Sequence, residues 1–265
     1  MVRKTPLKDG AEHNIPNYEI GGTHGNAFLK FYLNKDDVVI ADGGSMCYMD
    51  GSISLTLKKP KKGGGIFGKI MKSLSGESFF SSYFVGGEDA KGAVLALSTP
   101  LPGDIIALPI KAGETWTLSA GSFLAASSNI KVSGSLKFKG IFSWGNDEGM
   151  FRTTVTAAET NGVVFVESYG HIEKHVLKTG QTLKVDNEGF LACIKGTDYT
   201  LAKAGKSIIG SWFSSEGLVM SFKGPCILYT QSKGVKQLAD VLGNAIGNKQ
   251  GRNSSMFNTA MNVID

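Results

Sequence analysis

The densest cluster of chemistry-bearing side chains in this 265-residue chain is His171-Ile172-Glu173-Lys174-His175. On a strand, His171, Glu173 and His175 share one face, and two imidazoles with a carboxylate form a weak candidate metal trio. On a helix the two histidines align at i, i+4, but a zinc protease needs Glu directly after the first His, and Ile172 stands there. The plainer reading is the solvated face of a charged strand, so no metal is assigned. Gly63-Gly64-Gly65-Ile66-Phe67-Gly68-Lys69 has the spacing of a phosphate loop. Such a loop next requires Ser or Thr and follows a buried strand. Ile70 fails the first requirement, and Lys58-Lys59-Pro60-Lys61-Lys62 fails the second. No G-x-S-x-G elbow stands on a strand-to-helix turn. Glu77, Glu148 and Glu216 lie in related turns, where they cap backbone N–H groups or approach one another as a carboxylate cluster. No nucleophile–base pair accompanies them. The expectation is a chain without catalytic residues or cofactor.

Composition bounds the rest. Lys and Arg number 28 and Asp and Glu 23, a net charge of +5, with 42% apolar residues. That is a globular composition with ample material for a core. The 35 glycines make about 13% of the chain, nearly twice the usual ~7%. They punctuate short β-branched and aromatic runs, which predicts many strands and tight turns. Cys47, Cys193 and Cys226 are odd in number and show no C-x-x-C spacing. A disulfide scaffold is therefore disfavoured and a reducing, cytoplasmic setting expected. The first residues are basic but lack the apolar stretch of a secretory signal. The longest apolar region, 93–110, is broken by Pro100, Pro102, Gly103, Asp104 and Pro109, so it cannot span a bilayer as a helix.

Two markers recur with a period near seventy residues. One is an acid beside glycine: Gly76-Glu77, Glu148-Gly149 and Glu216-Gly217. The other is an apolar run ending at Gly44, Gly121 and Gly189, the third copy carrying one extra residue before its glycine. Two markers in one order argue for an internal repeat. Inside each unit the period is two, as in 53–57 and 132–139, and Val163–Val166 and Cys226–Tyr229 are short β-rich runs. The predicted fold is all-β: three pseudo-symmetric antiparallel repeats in a sandwich or barrel, with short covering helices. Boundaries fall at 1–16 for an N-terminal extension and at 17–234 for the β domain, its repeats about 17–100, 101–170 and 171–234. Residues 235–265 form a C-terminal helix and polar tail.

The basic segment points to a surface role. Lys58, Lys59, Lys61, Lys62, Lys69 and Lys72 surround an apolar helical stripe of Ile66, Phe67, Ile70, Met71 and Leu74. Such a segment suits an anionic membrane, each lysine adding ~1 kcal/mol at the surface. The plainer reading is cover for a sheet edge or packing on a neighbouring subunit. Single-stranded nucleic acid usually needs aromatics interleaved with the basic residues. Phe67 alone is present, so RNA is disfavoured and DNA is not expected.

The ordered series Met49-Asp50-Gly51, Gly63-Gly64-Gly65, Gly76-Glu77-Ser78-Phe79-Phe80, Pro102-Gly103-Asp104-Ile105 and Gly121-Ser122-Phe123-Leu124-Ala125 resembles the altered-inheritance-of-mitochondria 24 family. Gly189-Phe190-Leu191-Ala192, Glu216-Gly217-Leu218 and Gly224-Pro225 resemble its third repeat, so the likeness covers roughly 17–233. It departs at Asn161-Gly162, where the family pattern has Gly-Pro-Gly. The resemblance implies a fold like the tryptophan RNA-binding attenuator protein, three repeats, frequent oligomerisation and no catalytic residues to transfer. It adds a mitochondrial location as an alternative. The resulting expectation is a non-enzymatic homo-oligomeric scaffold, trimer favoured, peripheral on anionic membranes. The alternative is a small-ligand- or RNA-binding module.

Overall fold

The computed structural model describes residues 15–23, 25–57, 81–134, 152–203, 218–235, 237–239 and 241–243. Nineteen strands fill it, with one 3-10 turn, Asn187–Gly189, and a helical segment within 235–243. After β1 (Asn17–Thr23) the strands fall into three sets of six. The first runs β2 (Asn26–Leu33), β3 (Val38–Asp42), β4 (Met46–Met49), β5 (Ile53–Thr56), β6 (Ser81–Gly86) and β7 (Ala93–Ser98). The second runs β8 (Ile105–Ile110), β9 (Thr115–Ser119), β10 (Phe123–Ser127), β11 (Ile130–Gly134), β12 (Arg152–Ala157) and β13 (Gly162–Glu167). The third runs β14 (Ile172–Leu177), β15 (Thr182–Asp186), β16 (Phe190–Ile194), β17 (Tyr199–Lys203), β18 (Leu218–Lys223) and β19 (Cys226–Gln231).

Every set uses its strands identically. The first, sixth and third form one antiparallel half-sheet, and the fourth, fifth and second form another. The second strand of one repeat then pairs with the third strand of the next: Ala41 faces Ala125 on β3 and β10, and Leu118 faces Ala192 on β9 and β16. The half-sheets thereby fuse into six-stranded sheets ordered β5-β6-β3-β10-β13-β8 and β11-β12-β9-β16-β19-β14. The outer half-sheets remain as β1-β2-β7-β4 and β15-β18-β17. Each repeat also bulges at one place. The register shifts between Met46 and Tyr48, between Phe123 and Ala125, and between Phe190 and Ala192. A bulge that recurs in three repeats marks a shared feature of the unit.

The fused sheets are walls between cores. Along β13, Val163 and Phe165 enter the first core while Val164 and Val166 enter the second. Buried on both faces, this strand is apolar at consecutive positions rather than at alternate ones. Phe165 sits edge-on to Phe31 (centroids 5.1 Å apart) and to Tyr18 (4.8 Å). The second repeat also clasps the third through Arg152. Its guanidinium lies over the rings of Tyr199 (4.9 Å) and Phe190 (5.4 Å), and Nη1 donates to the Tyr199 hydroxyl. Arginine suits this place because its plane stacks while its edge donates.

Phe165→Ala removes the ring that ties β13 to the first core, and it should cost about 3–5 kcal/mol in urea unfolding. Arg152→Ala should cost about 2 kcal/mol, and Arg152→Lys should recover only part of that, because an ammonium does not stack.

Candidate functional site

Among the described residues, the repeated wiring leaves two strands without the partner that their counterparts have. β10 and β16 are third strands, each flanked on both sides, and β4 is the first repeat's third strand with one neighbour only. β3 and β9 are second strands paired across a seam, whereas β15 ends its sheet. Burial follows the pairing. Counting from the bulge, Met46, Cys47 and Tyr48 match Phe123, Leu124 and Ala125, and also Phe190, Leu191 and Ala192. The six inner residues are at most 2% exposed; Met46 is 41% exposed, Tyr48 52%, and Cys47 is also exposed. On β15, Lys184 is exposed where its counterpart Ile40 is buried.

The outer face of β1-β2-β7-β4 shows the same thing. By register, Phe28 and Tyr48 match Ile105 and Ala125, which line the first core, and Ile172 and Ala192, which line the second. In the inner repeats this face closes the preceding core.

The residues singled out from sequence are distributed as follows. Gly44 (φ +96°) and Gly121 (φ +73°) hold the left-handed position two residues before the bulged strand. Gly189 does not: it closes the 3-10 turn, capped where the Asp186 side chain accepts from the Glu188 N–H. Glu188 occupies the place that matches Gly44 and Gly121, so the third glycine marker is offset by one. A 3-10 turn makes the reversal without positive φ, which removes the need for glycine. His171 and His175 are separated in their bonding. Nδ1 of His171 is 2.7 Å from Asp104 Oδ2, whereas Nε2 of His175 is 2.8 Å from Thr230 Oγ1 and 3.9 Å from Glu173 Oε2. Among the described residues, no group of three or more His, Cys, Asp or Glu side chains could hold a metal. Lys58, Lys59, Lys61, Lys62, Ile66, Phe67, Lys69, Ile70, Met71 and Lys72 lie outside the described residues, as do Glu77, Glu148 and Glu216. Among the described residues, no helix is long and apolar enough to cross a membrane.

Sequence reading missed two acids. Glu167 ends β13 and is 7% exposed, with Oε2 buried and without a hydrogen-bond partner. Burial, and secondarily the charge of Asp42, pushes its carboxyl up to about 8. Asp42, half-buried at the end of β3, is also raised by burial. A shallow cleft of about 50 Å³ beside Glu167 is lined by Ser119, Ser122, Ser168 and Gln231, among others. Matching the ends of the sixth strands would have exposed the anomaly, because Ser98 and Gln231 hold the places equivalent to Glu167. Cys193 is a buried thiol pushed up to about 11 chiefly by desolvation, which removes it as a nucleophile.

Comparisons with known proteins agree with this architecture. Residues 18–233 match the family described as mitochondrial biogenesis AIM24. An uncharacterized protein of Streptococcus pyogenes serotype M6 is 31% identical over 215 residues, covering 79% of this chain and 83% of that protein. A crystal structure of a Streptococcus pyogenes protein superposes with a TM-score of 0.64 at 25% identity, covering 86% of this chain and 98% of the other. A match over most of the chain, with a relative above 30% identity, places this protein in the AIM24 family.

Proposed function

We propose that this chain is a non-enzymatic scaffold whose copies join head to tail, β4 of one against β15 of the next, into a homo-oligomer. The observation that carries this reading is β4 itself. It bears the bulge and apolar residues of a strand that is buried in the other two repeats, yet its flank is open among the described residues. Joining β4 to β15 would complete a sheet of the kind already made twice within the chain. It would also lay Phe28 and Tyr48 over the partner's third core. The contact is heterologous, so it closes into a ring when the rotation allows. A trimer is the expected closure.

The scaffold's second element is the basic segment. Residues 58–80 join the fourth and fifth strands of the first repeat, as 135–151 and 204–217 do in the others. These connections leave from equivalent strand ends: Thr56, Gly134 and Lys203. In a ring, equivalent connections recur on one side, and repetition turns a weak lysine–lipid contact into a firm one. We infer that this side rests on anionic lipid.

Light scattering on the full chain should give three times 28.1 kDa at micromolar concentration. Tyr48→Arg should reduce the mass to one copy, with stability of the single chain changed by less than about 0.5 kcal/mol. Cys47 should resist thiol labelling in the assembly and react in the variant. A wild-type monomer, or a Tyr48→Arg oligomer of unchanged mass, overturns the reading.

Cosedimentation with vesicles containing phosphatidylserine should fall as salt rises. Replacing Lys58, Lys59, Lys61 and Lys62 with Gln should weaken it about a thousandfold, at ~1 kcal/mol per lysine. Equal binding to neutral and anionic vesicles would sink the membrane reading while leaving the assembly untouched.

A further inference from the structure

The seam between the first and second repeats contains a group that the seam between the second and third does not. At the end of β19, Gln231 uses its whole amide. Its Oε1 accepts from the Tyr169 N–H at 3.2 Å, and its Nε2 donates to the Glu188 carbonyl at 2.8 Å. One repeat earlier, Glu167 stands in that place. The carbonyl that matches Glu188 is that of Gly121, two residues before the bulged strand, and Gly121 lines the same cleft as Glu167. The N–H that matches Tyr169 is missing. Counted forward from β7 the equivalent residue is Pro100; counted back from β8 it is Pro102. Neither has an N–H to give. Position 167 therefore shares its cleft with the Gly121 carbonyl and lacks the backbone donor from which Gln231 accepts. An ionised carboxylate accepts only; a protonated carboxyl can donate, as Gln231 does. The Oε2 atom, buried and without a partner, marks this mismatch.

The surrounding charges point the same way. Asp42 ends β3, on the far side of β10, near enough for its charge to raise the Glu167 carboxyl further. The turn between β9 and β10 contributes Ser119 and Ser122, and β19 contributes Gln231. Tyr169 follows in the linker, and Asp104, just before β8, is engaged by His171 at 2.7 Å. No lysine, arginine or histidine lines the cleft among the described residues. An anion at Glu167 would meet a carbonyl and a second carboxylate, with no compensating cation.

We propose that Glu167 is a proton-dependent latch on the seam of repeats one and two: protonated, it donates as Gln231 does and keeps β10 seated between β3 and β13; ionised, it faces Asp42 and Gly121 and loosens the seam. The latch lies within one chain and does not depend on the assembly proposed above. The sign follows from linkage. The folded carboxyl titrates near 8 and the unfolded one near 4.5, so the unfolded chain holds fewer protons between those values. Stability contributed by this group is complete below about 4.5 and is lost as pH rises to about 8.

The test compares denaturant unfolding of the wild-type chain and Glu167→Gln from pH 5 to 9, with amide exchange followed at Ala125, Ala126 and Ser127. The glutamine supplies the donor without the charge. The wild-type folding constant should fall, relative to the variant, about tenfold per pH unit up to pH 8. Seam amides should exchange faster in the wild type above pH 8, after correction for base catalysis. Asp42→Asn should move the end of the fall to lower pH, because it removes the neighbouring charge. Parallel pH profiles for wild type and Glu167→Gln would overturn the latch. So would an unchanged midpoint in Asp42→Asn, which remains decisive should the glutamine variant fail to fold.

Discussion

The structure depends on one constraint: the second strand of each repeat must hydrogen-bond to the third strand of the next. Without that pairing a repeat is two three-stranded half-sheets around a small core, each with an exposed row of backbone donors and acceptors. With it, two half-sheets become one wall, and each wall closes two cores. The consequence is visible in β10, where all five residues are buried, and in β13, where all six are. Stability is therefore distributed along a row, each repeat contributing its own core and a share of its neighbours'. Repeat arrays of this kind need terminal units that differ from the inner ones. Here β1 covers the outer side of β2, but among the described residues no strand covers β4 or β15 in the same manner.

Much of this was legible in the sequence. The period of two, the glycine punctuation and the seventy-residue recurrence come from local chemistry, and local chemistry is what one chain displays. The cross-repeat pairing was not legible. Ala41 and Ala125 meet because two cores demand a shared wall, and no local propensity names that partner. The third glycine marker misled for a local reason. Asp186 caps a 3-10 turn, so the position equivalent to Gly121 tolerates Glu188 and the glycine moves on by one. Glu167 was invisible for the opposite reason. An acid after Val163–Val166 reads as the polar end of a strand, and the backbone donor it lacks is withheld by prolines more than sixty residues earlier.

Of the two cationic features that drew attention, one has a structural account and the other a functional one. Arg152 spends its charge on two aromatic rings and a hydroxyl inside the molecule. The lysines of 58–72 fall between β5 and β6, away from either open edge strand in the sequence. That separation matters for the proposed scaffold. Assembly through β4 and β15 would use backbone pairing and apolar cover, whereas lipid contact would use charge. The first would be insensitive to salt and the second would not, so ionic strength would separate the two proposed contacts.

The junction between copies need not copy the inner ones in every residue to copy their geometry. Backbone pairing and the bulge set the rotation between neighbouring repeats; β4 has the bulge, and its outer flank is unpaired among the described residues. Side chains then adjust the strength. Lys184 stands on β15 where the inner strands have Ile40 and Thr117, and a lysine on an edge strand discourages indiscriminate strand addition. The ends of the row would thus be selective rather than merely unfinished: open to a strand with the right bulge, and resistant to one without it. If each junction turns the row by the same angle, closure is reached at a fixed number of repeats, and that number must be a multiple of three.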